Sequence, residues 1–94
     1  MVILAVCGMG IGTGIVLQTN AEKAVRELGL DAEIEVTDLD AARTATSRSD
    51  LVLTSPDLAR ELGEVGVPVV VIDNFLDVAE IRERIAAATG HAPG

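Results

Sequence analysis

The chain has 94 residues, enough for one small domain and too few for two. Its apolar share is 49%, yet Phe75 is the sole aromatic, so the core has to be aliphatic. A net charge of −8 and a pI near 4.3 argue against nucleic acid or an anionic membrane surface as partner, and suit a basic patch on another protein.

Val2-Ile3-Leu4-Ala5-Val6 reads as a buried first strand. It lacks the basic flank and length of a signal peptide, and no apolar run reaches the ~20 residues of a membrane span. The single cysteine, Cys7, forms no disulfide within the chain, which suits a reducing compartment. A cytoplasmic location is the expectation. After the strand comes Cys7-Gly8-Met9-Gly10-Ile11-Gly12-Thr13-Gly14, and a helix is predicted over 15–28 from Leu17, Ala21, Ala24, Val25 and Leu28 at helical spacing. Gly29 stands where a C-terminal cap glycine belongs.

Ala32–Thr37 alternates apolar and polar, the pattern of a half-buried edge strand. Asp38-Leu39-Asp40 reads as a turn whose acids are caps or solvated residues, and Ala41–Thr46 as a short helix. Leu51–Thr54 is the third strand. Ser55-Pro56 supplies an N-cap and a first-turn proline for a helix ending at Gly63 or Gly66. Val67–Ile72 is the fourth strand. Asp77 and Glu80 form a capping-box pattern ahead of a last helix with Ile81, Ile85 and Ala88 on one face. Residues 1–90 make a single domain, and 91–94 read as a frayed tail. The β-α-β-α-β-α-β-α succession implies an α/β fold: a four-stranded parallel sheet with helices on both faces, in the order 2-1-3-4. That order places a ligand site at the carboxyl ends of strands 1 and 3, where Cys7 and Thr54-Ser55 become neighbours and Asp73-Asn74 shares the edge.

A strand running through glycines into a helix start is an anion site, because loop amides and the helix N-terminus converge there. The glycines match neither a Walker loop, which needs a lysine, nor Gly-x-Gly-x-x-Gly, which fails from Gly8 at Thr13 and from Gly10 at Ile15. Cys7 at the mouth of this stretch is then either a buried structural thiol or a nucleophile whose thiolate the amides stabilise. The second reading expects its pKa below the ~8.5 of a free thiol. Gly8, Met9, Gly10, Ile11, Gly12, Thr13 and Gly14 form the candidate phosphate cradle, with the Thr13 hydroxyl as donor or as helix N-cap. Cysteine phosphatases share this layout but carry arginine six residues after the cysteine. Thr13 holds that place here, so the site is better suited to holding a phosphoryl group than to hydrolysing one. Thr54, Ser55 and Asp73 are candidate accessory groups, although Asp73-Asn74 also reads as a plain strand-end turn. No His/Cys/Asp cluster has metal-ligand spacing, and no cofactor is implied. A phosphatase-like enzyme and a non-catalytic anion-binding module stay open at this point.

Ile3-Leu4-Ala5-Val6-Cys7-Gly8-Met9-Gly10-Ile11-Gly12-Thr13 resembles the phosphorylation loop of IIB components of phosphoenolpyruvate-dependent sugar phosphotransferase systems, in the ascorbate-type branch of the lactose/cellobiose-like group. The resemblance implies a cytoplasmic phosphocarrier associated with a membrane transporter. It implies that Cys7 takes a phosphoryl group from a phosphohistidine on the IIA component. Cys7 then passes it to a sugar, polyol or ascorbate-like substrate held by the membrane IIC component. Ascorbate-type loops usually carry serine where this chain has Gly14.

Overall fold

A computed structural model describes residues 1–8 and 10–90, with residues 10–13 described by their helical backbone alone. Four parallel strands, β1 (Val2–Val6), β2 (Glu33–Thr37), β3 (Leu51–Thr54) and β4 (Val69–Val71), form one sheet in the order β2-β1-β3-β4. Four helices cover it: α1 (Gly10–Leu28), α2 (Leu39–Ala45), α3 (Pro56–Leu62) and α4 (Val78–Thr89), with a 3-10 turn over Thr46–Arg48. The expected fold class and strand order are both present.

The unbroken apolar run of β1 has a direct cause in this layout. Ile3 and Ala5 enter the core under α1 and α4, while Leu4 and Val6 enter the core under α2 and α3, and all four are buried. A strand inside a parallel sheet has no solvent face for a polar residue to occupy. β2 lies at the edge, as its alternation requires, with Ile34 buried and Glu33 and Val36 exposed. α1 buries Leu17, Ala21, Ala24, Val25 and Leu28, the expected stripe. It ends in a Schellman arrangement: Gly29 has φ +72°, its N–H donates to Arg26 O, and Leu30 N–H donates to Val25 O at 2.9 Å.

Several boundaries differ from expectation. α2 begins at Leu39 because Asp38 is its N-cap, its carboxylate accepting from Ala41 N–H at 2.8 Å. β4 is shorter than 67–72, since Pro68 has no N–H to pair, although Ile72 N–H still donates to Thr54 O. Ser55 and Pro56 open α3 as expected, and α3 stops at Gly63. On α4, Ile81 and Ile85 are buried with Ala86, whereas Ala88 faces solvent. Asp77 caps α4 by accepting from Glu80 N–H, but the Glu80 carboxylate does not return to Asp77. It accepts from Asp73 N–H at 2.8 Å and Asn74 N–H at 3.1 Å, which ties the end of β4 to the helix that follows. Residues 91–94, the expected tail, lie outside the described residues.

Candidate phosphoryl-transfer site

Cys7 stands one residue past β1, its N–H donating to Thr37 O at 3.1 Å, so the β1–β2 ladder carries it to the carboxyl edge of the sheet. It is 8% exposed and packs with Ala5, Leu17 and their neighbours under α1. It also borders a hollow of about 490 Å³, lined further by Gly8, Gly14, Ile15, Gln18, Val36, Thr37 and Asp38. The thiol is thus half committed to the core and half turned to a surface cavity.

The glycine stretch is not the open loop expected up to Gly14. α1 begins at Gly10, leaving only Cys7, Gly8 and Met9 between strand and helix, and Met9 lies outside the described residues. Helix propensity is a weak prior against glycine, and here the tertiary fit overrides it. A Cβ on Gly14 would lie 2.9 Å from Val36 Cγ1 and 4.0 Å from Cys7 Cβ, so the helix passes β2 too closely for a side chain. A serine at this position would require Val36 to shift. The converging donors are therefore those of a helix N-terminus. A helix leaves the N–H groups of its N-cap and its first three residues without an intrahelical acceptor, and in α1 those three residues are Gly10, Ile11 and Gly12. Thr13 lies within the helix, which removes the N-cap role considered for it; its hydroxyl lies outside the described groups.

The expected lowering of the Cys7 pKa is reversed: burial pushes the thiol above its ordinary value. Hydrocarbon around the sulfur penalises the thiolate, and no lysine or arginine is among the described residues that line the hollow. Among the described arginines, Arg43, Arg48, Arg60, Arg82 and Arg84 are each engaged with a carboxylate.

The three accessory candidates are not brought to this hollow. Thr54 is fully buried and its hydroxyl donates to Val6 O at 3.0 Å, holding β3 to β1. Ser55 Oγ accepts from Leu58 N–H as the α3 cap. Asp73 pairs with Arg84 at 3.5 Å. Ser55 and Asp73 border a separate cavity of about 570 Å³ beside Val16, Ile72 and Phe75. Asp73 and Asn74 lie just past β4, and their N–H groups are held by the Glu80 carboxylate. Sequence reasoning missed the β2 wall of the Cys7 hollow, namely Val36, Thr37 and Asp38. The 2-1-3-4 order contained that signal, because it sets the end of strand 2 against the end of strand 1.

A model of the family described as "PTS system, Lactose/Cellobiose specific IIB subunit" matches residues 2–87. The chain belongs to this family. This IIB chain is 27% identical over 85 residues to the ascorbate-specific PTS system EIIB component of Mycoplasma pneumoniae, covering 89% of this chain and 90% of that protein. Its fold resembles the lactose-specific IIB domain of Streptococcus pneumoniae, with TM-score 0.61, 14% identity, and 97% and 96% of the two chains covered. It likewise resembles the cellobiose-specific IIB protein of Borrelia burgdorferi, with TM-score 0.61, 25% identity, and 100% and 96% covered. The protein is accordingly a IIB phosphocarrier, a phosphotransferase of the sugar phosphotransferase system, and membership implies work with IIA and IIC components. Among the described residues, no helix is long and apolar enough to cross a membrane.

Proposed function

We propose that Cys7 is the phosphoryl acceptor and donor of this carrier. The observation that carries the reading is the placement of the one cysteine at the carboxyl end of β1, facing a hollow, with the N-terminus of α1 beginning three residues later. In the first half-reaction the Cys7 sulfur attacks phosphorus on a IIA phosphohistidine. The S–P bond forms as the N–P bond breaks, its electron pair returns to the imidazole, and the thiol proton is released to solvent. In the second, a substrate hydroxyl oxygen attacks phosphorus, the S–P pair returns to sulfur, and the hydroxyl proton is lost to solvent. The α1 amides hold the phosphoryl oxygens through both steps. The backbone of Gly8 and the first turn of α1, Gly10 to Gly12, supplies the cradle, a narrower stretch than Gly8 to Gly14, and Thr54, Ser55 and Asp73 serve the scaffold. The acceptor is a substrate held by IIC, and the ascorbate-specific relative favours an ascorbate-like acid over a neutral sugar.

The test is intact-mass analysis after incubation with phosphoenolpyruvate, the general transferases and a IIA donor. One added phosphoryl group on the wild type and none on Cys7→Ser is the expected result. Absence of an adduct with a competent donor refutes the assignment. Reconstitution with a IIC component then compares labelled ascorbate with lactose and cellobiose as acceptors.

A further inference from the structure

Asp38 occupies an unusual place for a helix cap. Val6 pairs with Thr37 across β1–β2, and Cys7 N–H continues that ladder to Thr37 O. The extended backbone of Asp38, φ −90° and ψ 175°, carries β2 one residue further and sets it opposite Cys7. Adjacent strands lie ~4.8 Å apart, so the two backbones are neighbours at the floor of one hollow. Asp38 lines the Cys7 hollow, and it also borders a neighbouring one of about 300 Å³ shared with Gly8, Asp40 and Glu61. Carboxylates thus gather on the α2 and α3 side of the site. Asp40 is paired with Arg43, whereas the first cations along α1 are Lys23 and Arg26, at least ~20 Å down the helix from Gly10.

We propose that the Asp38 carboxylate sets the phosphoryl-transfer potential of this carrier, by placing a fixed negative charge against the phosphoryl group on Cys7. The proposal rests on the phosphocysteine reading above. The amides of α1 hold the phosphoryl oxygens, and Asp38 opposes their charge. The S–P bond is therefore formed only from a high-energy N–P donor and surrendered readily to a hydroxyl. Without Asp38 the amides hold the phosphoryl group more tightly, and Cys7 becomes a sink. The cap and the charge are separable, because asparagine caps a helix as well as aspartate does.

The experiment compares the full chain as wild type, Asp38→Asn and Asp38→Ser, with Glu83→Gln on the exposed face of α4 as a control for net charge alone. Thermal melts establish that the cap survives. The first readout is the rate of iodoacetamide alkylation of Cys7 at fixed pH. Removing one charge from the hollow should speed alkylation about three- to tenfold in Asp38→Asn, by the Coulomb interaction with a single thiolate charge. The second is the ratio of phosphorylated to free chain when mixed with pre-phosphorylated IIA and no phosphoenolpyruvate. That ratio should rise about tenfold or more, since a phosphoryl group carries nearly two charges. Asp38→Ser should follow Asp38→Asn, and Glu83→Gln should stay within about twofold of wild type. Adduct formation with both readouts within twofold of wild type in the Asp38 variants, or shifted the other way, overturns the role of Asp38 alone. Faster alkylation with no adduct on any variant overturns the phosphocysteine reading and the proposal with it.

Discussion

The contact between Gly14 and Val36 makes a sharp prediction about stability. Gly14 lies inside α1, where replacement of glycine by alanine ordinarily gains about 1 kcal/mol of helix propensity. Here the added Cβ would sit 2.9 Å from Val36 Cγ1, inside the range real contacts occupy, and Val36 is β-branched with little rotamer freedom to retreat. Overpacking of this kind costs about 1–3 kcal/mol, so Gly14→Ala alone should be neutral or destabilising by up to about 2 kcal/mol. Val36 is 42% exposed, so Val36→Ala alone should cost about 0.5–1 kcal/mol. In the Val36→Ala background the collision is gone, and Gly14→Ala should then stabilise by about 1 kcal/mol. The coupling between the two sites is therefore about 1–3 kcal/mol, and 1 kcal/mol corresponds to about 4–8 °C in Tm for a chain of this size. Urea and thermal melts of the four proteins measure it directly. If Gly14→Ala stabilises both backgrounds equally, to within about 0.5 kcal/mol, then Val36 is not the reason for glycine at this position.

Glu80→Gln leaves one amide oxygen where a carboxylate served Asp73 N–H, Asn74 N–H and Arg84, so stability should fall by about 1.5–3 kcal/mol in urea melts. A loss below about 0.5 kcal/mol contradicts the bridging role. Thr54→Val removes the donor to Val6 O and should cost about 1 kcal/mol of stability while leaving the rate of Cys7 phosphorylation within about twofold of wild type. A large fall in that rate at unchanged stability would restore Thr54 to the site. Burial raises the folded-state pKa of Cys7, so the unfolded chain loses this proton first as pH rises from about 8.5. The folded state then binds more protons, and stability declines with pH until the folded thiol also ionises. Alkaline melts of wild type against Cys7→Ser test this, and an equal decline in both rejects it.

Strand order and most of the core were legible because each rested on a pattern with one physical solution. A continuous apolar run at Val2–Val6 and an alternating one at Ala32–Thr37 can coexist in a parallel sheet only with the first inside and the second at an edge. The Ser55-Pro56 and Asp77 caps were legible because capping is local chemistry. The start of α1 was not. Four glycines argue for a loop on propensity, and only the passage of the helix against Val36, twenty-two residues away in sequence, makes glycine a packing residue within a helix. The partner of the Glu80 carboxylate was hidden for a related reason. A capping box predicts a return to Asp77, but the chain end of β4 presents two N–H groups within reach, and a carboxylate takes two donors in preference to one. The Cys7 pKa was misjudged by weighing the helix amides without the hydrocarbon of Ala5 and Leu17 behind the sulfur.

That reversed pKa bears on why a carrier can be built this way. A thiol depressed by a nearby arginine is a thiolate at rest, open to oxidants and other electrophiles, and the same arginine clamps the phosphate for attack by water. Cys7 instead rests protonated, largely buried, in a hollow whose described lining contains a carboxylate and no cation. Its ionisation is unfavourable until something supplies compensating charge, and the hollow is open on the side of Ile15 and Val36, where a partner surface can enter. If Cys7 carries the phosphoryl group as proposed, a docked partner with basic groups would offset the acidic rim, which the net charge of −8 suits, and would lower the cost of the thiolate as the group arrives. On the proposed reading the nucleophile would thereby be coupled to docking, and between partners its phosphoryl group would be held by backbone amides with no arginine to clamp it for attack by water.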